Sequence, residues 1–296
     1  MKSIELSQAL YPVSLAKTND ILSGYKSANP AGEHAVIAEY NDEKYLVNTV
    51  SDTYGLIPLE STLEVVSKAA ENLGIAYDTK ARGHFKKGVE FPTAFEINTK
   101  LNVDWEICKG DNVAPQLTLF TSYDGTMKLT FAAGIYRSIC KNGMVFGGKK
   151  GKFQKISGKH TKSMVDKVEQ ITRFMDNLMT SQELITKYFQ QLQETKPENF
   201  LDSLEYCFNA SNLSFKRATK EGFNTTDQRE MVLDVMATEA NTLGYDSESY
   251  YSIYQGVNNL ISHQEKANIK MDVLRTANAH AGLYNAITDL SGVSLN

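Results

Sequence analysis

Between residues 75 and 147 the chain is a succession of short aromatic and apolar segments with no room between them for a helix, and this stretch limits the fold more than any other. IAYDTK, VEFPTAFEIN, VDWEIC, QLTLFTSYD, TMKLTFAAG and IYRSIC are rich in β-branched and aromatic residues, which suit a pleated, half-buried surface. Leu117, Leu119 and Thr121 alternate with Thr118, Phe120 and Ser122, the period of a strand. Parallel neighbours would need crossovers of about a dozen residues or more. The expectation is therefore an antiparallel meander, with Asp124-Gly125 and Asn142-Gly143 at its turns.

Elements of other kinds flank this sheet. Lys44 to Asn48 alternates as a strand, and Asn29-Pro30-Ala31-Gly32 reads as a turn. Leu63, Val66, Ala69 and Leu73 keep helical spacing, with Ser61 and Glu64 in the pattern of a capping box and Gly74 as the stop. After Lys162 the period becomes helical: Met164, Val168, Ile171, Met175 and Leu178 form one stripe, Thr180 with Glu183 marks a new start, and Ile185, Phe189 and Leu192 continue an apolar face. Further helices are expected near 227–241, 247–262 and 265–288. The fold class is α+β: a meander over about 75–147, packed by helices and by the Met164 to Leu178 stripe, with a helical C-terminal part. The division expected is 1–200 as an α+β core with a basic hairpin, and 201–296 as a helical region packed on or beside it.

Charge supplies the functional signal. The chain carries 31 cations and 35 acids, but there is no acid between Asp124 and Asp166. That interval holds Lys128, Arg137, Lys141, Lys149, Lys150, Lys152, Lys155, Lys159 and Lys162. The remainder keeps 22 cations against 35 acids, a formal −13. Such polarity draws a polyanion to one face and repels it elsewhere. A second cluster, Lys80, Arg82, His84, Lys86 and Lys87 around Phe85, is expected on a loop between strands. Cations displace counterions from phosphates and an interleaved ring stacks on a base. The candidate nucleic-acid contacts are Arg82, His84, Phe85, Lys86, Lys87, Arg137, Lys141, Lys149, Lys150, Lys152, Lys155, Lys159, His160 and Lys162.

Other chemistries find less support. Gly143, Gly148 and Lys149 match the first part of a phosphate loop, but Lys150 stands where a Ser or Thr would hold Mg²⁺. No two of the five histidines are spaced i, i+4 and none adjoins a cysteine pair, so no metal or cofactor set is assigned. Cys108, Cys140 and Cys207 are odd in number and far apart, as reduced buried thiols are. No apolar run reaches the roughly 18 residues of a membrane span and the start lacks a signal-peptide core. The expected location is cytoplasmic, with no membrane partner.

The segments VNTVSDTYGLIP (47–58), TSYDGTMKLTFAAGIYRSICKNGMV (121–145), GKHTKSM (158–164) and GLYNAITD (282–289) resemble the phage/plasmid-like protein family, the domain of unknown function 932. Lys141 and Met144 are individual variants within its pattern. The resemblance implies a mobile-element protein working in the host cell cytoplasm, on DNA, and carries over no catalytic residues. At the level of fold alone, a helix, a meander and a following amphipathic helix is also the plan of phage single-strand annealing proteins. The leading expectation is a non-enzymatic, single-strand-preferring nucleic-acid-binding protein that assists recombination, replication or protection of DNA, and that forms homo-oligomers. Two alternatives stand beside it: a Mg²⁺-dependent nucleic-acid or nucleotide-processing enzyme, with Asp104, Glu106, Asp124 and His160 to test, and a counter-defence protein binding a host protein.

Overall fold

The computed structural model describes residues 2–21, 33–108, 110–138, 142–146, 156–160, 170–213, 225–264 and 269–295. Lys141, Lys149, Lys150, Lys152, Lys155 and Lys162 lie outside them, as do Met164, Val168 and the expected turn at 29–32. The fold is α+β. Two antiparallel sheets precede a C-terminal region dominated by helices.

The small sheet has the order β2 (Val13–Lys17), β3 (His34–Tyr40), β4 (Glu43–Val50). Its β3–β4 turn is Asn41-Asp42, both with positive φ, the backbone that matches strand twist in a tight hairpin. The large sheet runs β1 (Lys2–Ile4), β5 (Tyr77–Phe85), β6 (Pro92–Leu101), β8 (Asp111–Ser122), β9 (Leu129–Arg137), β10 (Asn142–Phe146). Two shorter strands join it, β7 (Trp105–Cys108) on β8 and β11 (Ile156–Gly158) on β9.

Register sorts the residues into two faces. Ala81 opposes Ile97, Ile97 opposes Leu119, and Leu119 opposes Phe131, so these share one apolar face. The helix α3 (Ile171–Met179) packs on β8 and β9 and also on α2 (Leu59–Asn72). It buries Ile171, Phe174, Met175 and Leu178, each worth about 1.5–3 kcal/mol against exposure. The expected stripe is thus present over its described part.

Arg82, Glu96, Phe120 and Thr130 lie in register on the opposite face, which is polar at one end and apolar at the other. There Ala94, Phe120 and Met127 cluster with Val273 at the start of α8 (Val273–Ser291). Helices therefore cover β8 on both faces, and every residue from Val113 to Ser122 is buried. The alternation in QLTLFTSYD separates an apolar from a polar face, not core from solvent.

The remaining helices are α1 (Thr18–Ile21), α4 (Gln182–Glu194), α5 (Phe200–Ala210), α6 (Thr225–Leu243) and α7 (Tyr250–Ser262). Rings of Phe146, Phe189, Tyr251 and Tyr284 join β10 to α4, α7 and α8. One hydrophobic core extends from Ala9 to Leu295. Among the described residues no helix is long and apolar enough to cross a membrane.

Several expectations need correcting. TMKLTFAAG and IYRSIC contain one continuous strand, β9, because nothing between Gly134 and Ile135 breaks the ladder. Gly134 is there for space, since a Cβ would sit 2.1 Å from the Met144 carbonyl oxygen. Asn142-Gly143 is not a turn but the start of β10, paired with Arg137 and Tyr136. The Asp124-Gly125 turn does link β8 to β9, with Gly125 at φ +74, but the connection runs from 123 to 128. The first long helix begins at Leu59, with Pro58 as N-cap, so Ser61 and Glu64 lie within it and form no capping box. The helix start expected just after His160 falls on 161–169, outside the described residues, and α5 matches no expected helix.

Candidate nucleic-acid interface

The second basic cluster lies mostly on a strand, not a loop. Lys80, Arg82 and His84 alternate along β5 and share the polar sheet face, opposite Asn98, Glu96 and Ala94. Arg82 is largely buried and paired with Glu96 at 3.4 Å, while Lys80 is exposed. Past the strand end, Lys86 holds Asp124 at 3.2 Å and Lys87 is exposed. Phe85 is half-buried, with Lys2 Nζ 5.9 Å from its ring centre. Burial alone would raise the Asp124 carboxyl, but hydrogen bonds from Thr126 and Thr93 and the Lys86 charge outweigh it and hold the group below its usual range.

This row borders a cleft of about 600 Å³. Its floor is a line of polar side chains crossing two strands, β6 and β8. Asn98 Nδ2 donates to Glu96 at 2.8 Å, Gln116 Nε2 donates to Asn98 Oδ1 at 3.0 Å and to Thr118 at 3.1 Å, and Thr118 donates to Asn98 at 2.7 Å. Lys80 and Lys100 converge on one ring, their ammonium groups 5.5 and 5.4 Å from the centre of Tyr136. The last residues of α7 and His280 of α8 form a wall. Burial pushes the His280 imidazole down to about 4, with Glu96 and Arg82 acting in opposite senses; it is neutral at physiological pH.

Lys100, Tyr136, Asn98 and Gln116 were not among the expected contacts. A signal for two of them, Asn98 and Lys100, was present in the alternation Glu96, Asn98, Lys100 along β6, three polar residues on one face of a strand. Tyr136 reaches the site only through tertiary pairing.

Two expected contacts sit elsewhere. Arg137 is completely buried: its Nε and Nη2 reach Asp111 at 2.7–2.9 Å, its Nη1 pairs with Glu239, and its guanidinium lies 5.5 Å from the Tyr251 ring centre. It has no surface to offer a phosphate, and it ties β9 to α6 and α7. His160 is 7% exposed, its ring stacked parallel on Tyr54 at 5.5 Å and its Nε2 3.3 Å from Thr121 Oγ1. Burial pushes its imidazole down to about 4. Gly55 N–H donates to the His160 carbonyl at 3.2 Å and Leu59 N–H to the Tyr123 hydroxyl at 2.7 Å. Residues from 47–58, 121–145 and 158–164 are thus gathered into one buried knot. Lys159 beside it is exposed.

Of the carboxylates considered for Mg²⁺, Asp104 and Glu106 are exposed, with Glu106 accepting from Gly110 N–H at 2.9 Å. Among the described residues no three His, Cys, Asp or Glu side chains gather as metal ligands. Cys207 is buried and unpaired, its thiol pushed up to about 12 by burial.

No curated protein and no solved structure matches the chain. The family model described as a domain of unknown function (DUF932) matches residues 47–287. This range takes in both long segments of the buried knot, the cleft floor and all but the end of α8, and the chain belongs to the DUF932 family.

Proposed function

We propose that the chain is a nucleic-acid-binding protein preferring single strands, and that it contacts them along the polar face of the large sheet beside β5. The observation that carries this reading is the row Lys80, Arg82, His84 on one strand face, prolonged by Lys86 and Lys87 and bordered by the open cleft. At about 3.3 Å per residue, Lys80 to Lys86 spans roughly 20 Å, the length of several nucleotides. Lys80, Lys87 and Lys100 have no carboxylate within ion-pair distance among the described residues, so their charges remain for phosphates. Tyr136 supplies a ring at this surface, and stacking on exposed bases is available only in an unpaired strand.

The reading assigns this activity to a phage or plasmid protein in the host cytoplasm, assisting recombination, replication or protection of DNA, and the family resemblance supports it. A short basic row gains affinity when copies act along one strand, so the reading includes self-association on DNA. Fluorescence anisotropy with labelled single- and double-stranded oligonucleotides of one sequence tests it. The single strand binds more tightly, with little dependence on sequence because phosphate contacts position without specifying. Equal affinity for both forms, or no binding at low salt, overturns it.

A further inference from the structure

We propose, building on the nucleic-acid reading, that the cleft is a seat for a single nucleotide, with Lys80 and Lys100 holding its phosphate and Tyr136 and the amide row receiving its base. Its volume of about 600 Å³ lies within the roughly 300–1,000 Å³ of small-ligand pockets.

The first argument is charge. Both ammonium groups lie within about 5.5 Å of one ring centre, so the ring quadrupole gathers two like charges that repel each other. Asp78 stands opposite Lys100 in the strand register, yet forms no ion pair with it. Two converging cations with no carboxylate at ion-pair distance among the described residues leave charge for an anion, and a phosphate satisfies both at once, although Glu5, Asp78 and Glu96 also line the cleft.

The second argument is the row of amides. Asn98 and Gln116 line the cleft, and the bonds their Nδ2 and Nε2 donate to Glu96, Asn98 and Thr118 fix which way both amides point. Amides so held can pair with the donor and acceptor edge of a base such as adenine, while the sugar and base lie against Tyr136.

The chemistry is shared by a free nucleotide and by one unit of a strand, so the test carries both. Deoxyadenosine 5′-monophosphate, deoxyadenosine, inorganic phosphate and an oligodeoxyadenylate are titrated against the full chain by calorimetry, and the monophosphate is used to compete with the oligonucleotide. The expected result is that the monophosphate binds more tightly than the nucleoside or phosphate alone and displaces the oligonucleotide. Lys80→Gln and Lys100→Gln each weaken it by about tenfold or more, the loss of a charge-assisted contact. Both lysines reach solvent, so both variants should fold, which circular dichroism checks. Tyr136→Leu weakens the nucleoside part and Tyr136→Phe does not. If the oligonucleotide binds while the monophosphate neither binds nor competes, the seat is refuted and the strand-binding reading survives. Monophosphate binding without oligonucleotide binding keeps the seat and refutes that reading. If neither ligand binds, both fall.

Discussion

Replacing Arg137 by Met should destabilise the fold strongly while leaving nucleic-acid contacts untouched. The guanidinium is fully buried, bonded at 2.7–2.9 Å to both oxygens of Asp111, paired with Glu239 and packed near Tyr251. Tyr251 also donates to Asp111 and Tyr245 to Glu239. The substitution leaves two carboxylates, one completely buried and one nearly so, without their cation. Breaking a buried pair in this way costs about 3–5 kcal/mol, and two orphaned acids favour the upper part of that range. Against a typical total of about 5–15 kcal/mol, the loss is a third of the stability or more. With a slope of about 3 kcal/mol per molar urea, the midpoint falls by more than about 1 M. Trp105, the single tryptophan, is buried on β7 opposite Val113, two residues from Asp111, and its fluorescence reports the transition. Changing Arg137, Asp111 and Glu239 together to apolar residues should recover much of the loss. A loss under about 1 kcal/mol in the single variant would refute the argument, since that is the worth of a surface pair.

Other outcomes follow from the same packing. Gly134→Ala places a methyl group on the Met144 carbonyl, so β10 must move from β9, at a cost of about 1–3 kcal/mol by urea unfolding; an unchanged midpoint would show that the strands are not that close. His160 and His280 have folded pKa values of about 4 against about 6.5 when unfolded. The unfolded chain therefore takes up protons first, stability is full above that unfolded value, and it declines as pH falls from there towards 4. Two such groups give a slope approaching 2.7 kcal/mol per pH unit, about twice 1.36, and His160→Phe should remove close to half of the decline between pH 7 and 5.5.

What the sequence disclosed depended on range. The meander, the stripe over Ile171, Met175 and Leu178, and the face of Ile185, Phe189 and Leu192 are local patterns, set by pleat and helix periods, and all are present. The large apolar segments left little freedom in which side faces inward. Legibility failed where a second layer or a distant partner decides. Asn142-Gly143 has turn chemistry but lies in a strand because β9 is longer than its two halves suggested. Arg137 counts as a basic-island cation by position, yet its environment is set by Asp111 and Glu239, 26 and 102 residues away. Tyr136 and Gln116 come to line one cleft only after β5, β6, β8 and β9 have paired, so no spacing rule joins them. The buried knot is intermediate: its three segments carry the family resemblance, but that His160 stacks on Tyr54 is visible only in three dimensions.

The most direct test of strand binding is the salt dependence of affinity for a single-stranded oligonucleotide, measured by anisotropy for the parent and for a Lys80→Glu/Lys87→Glu variant. Both side chains are exposed, so the fold persists. If three to five cations neutralise phosphates, log K falls against log salt with a slope of roughly −2 to −3.5. The double variant should flatten that slope by about 1.4, two contacts' worth, and bind more weakly to every sequence alike. A parent that shows no salt dependence, or a folded variant with the parent's slope and affinity, would contradict the assignment of this sheet face to nucleic acid.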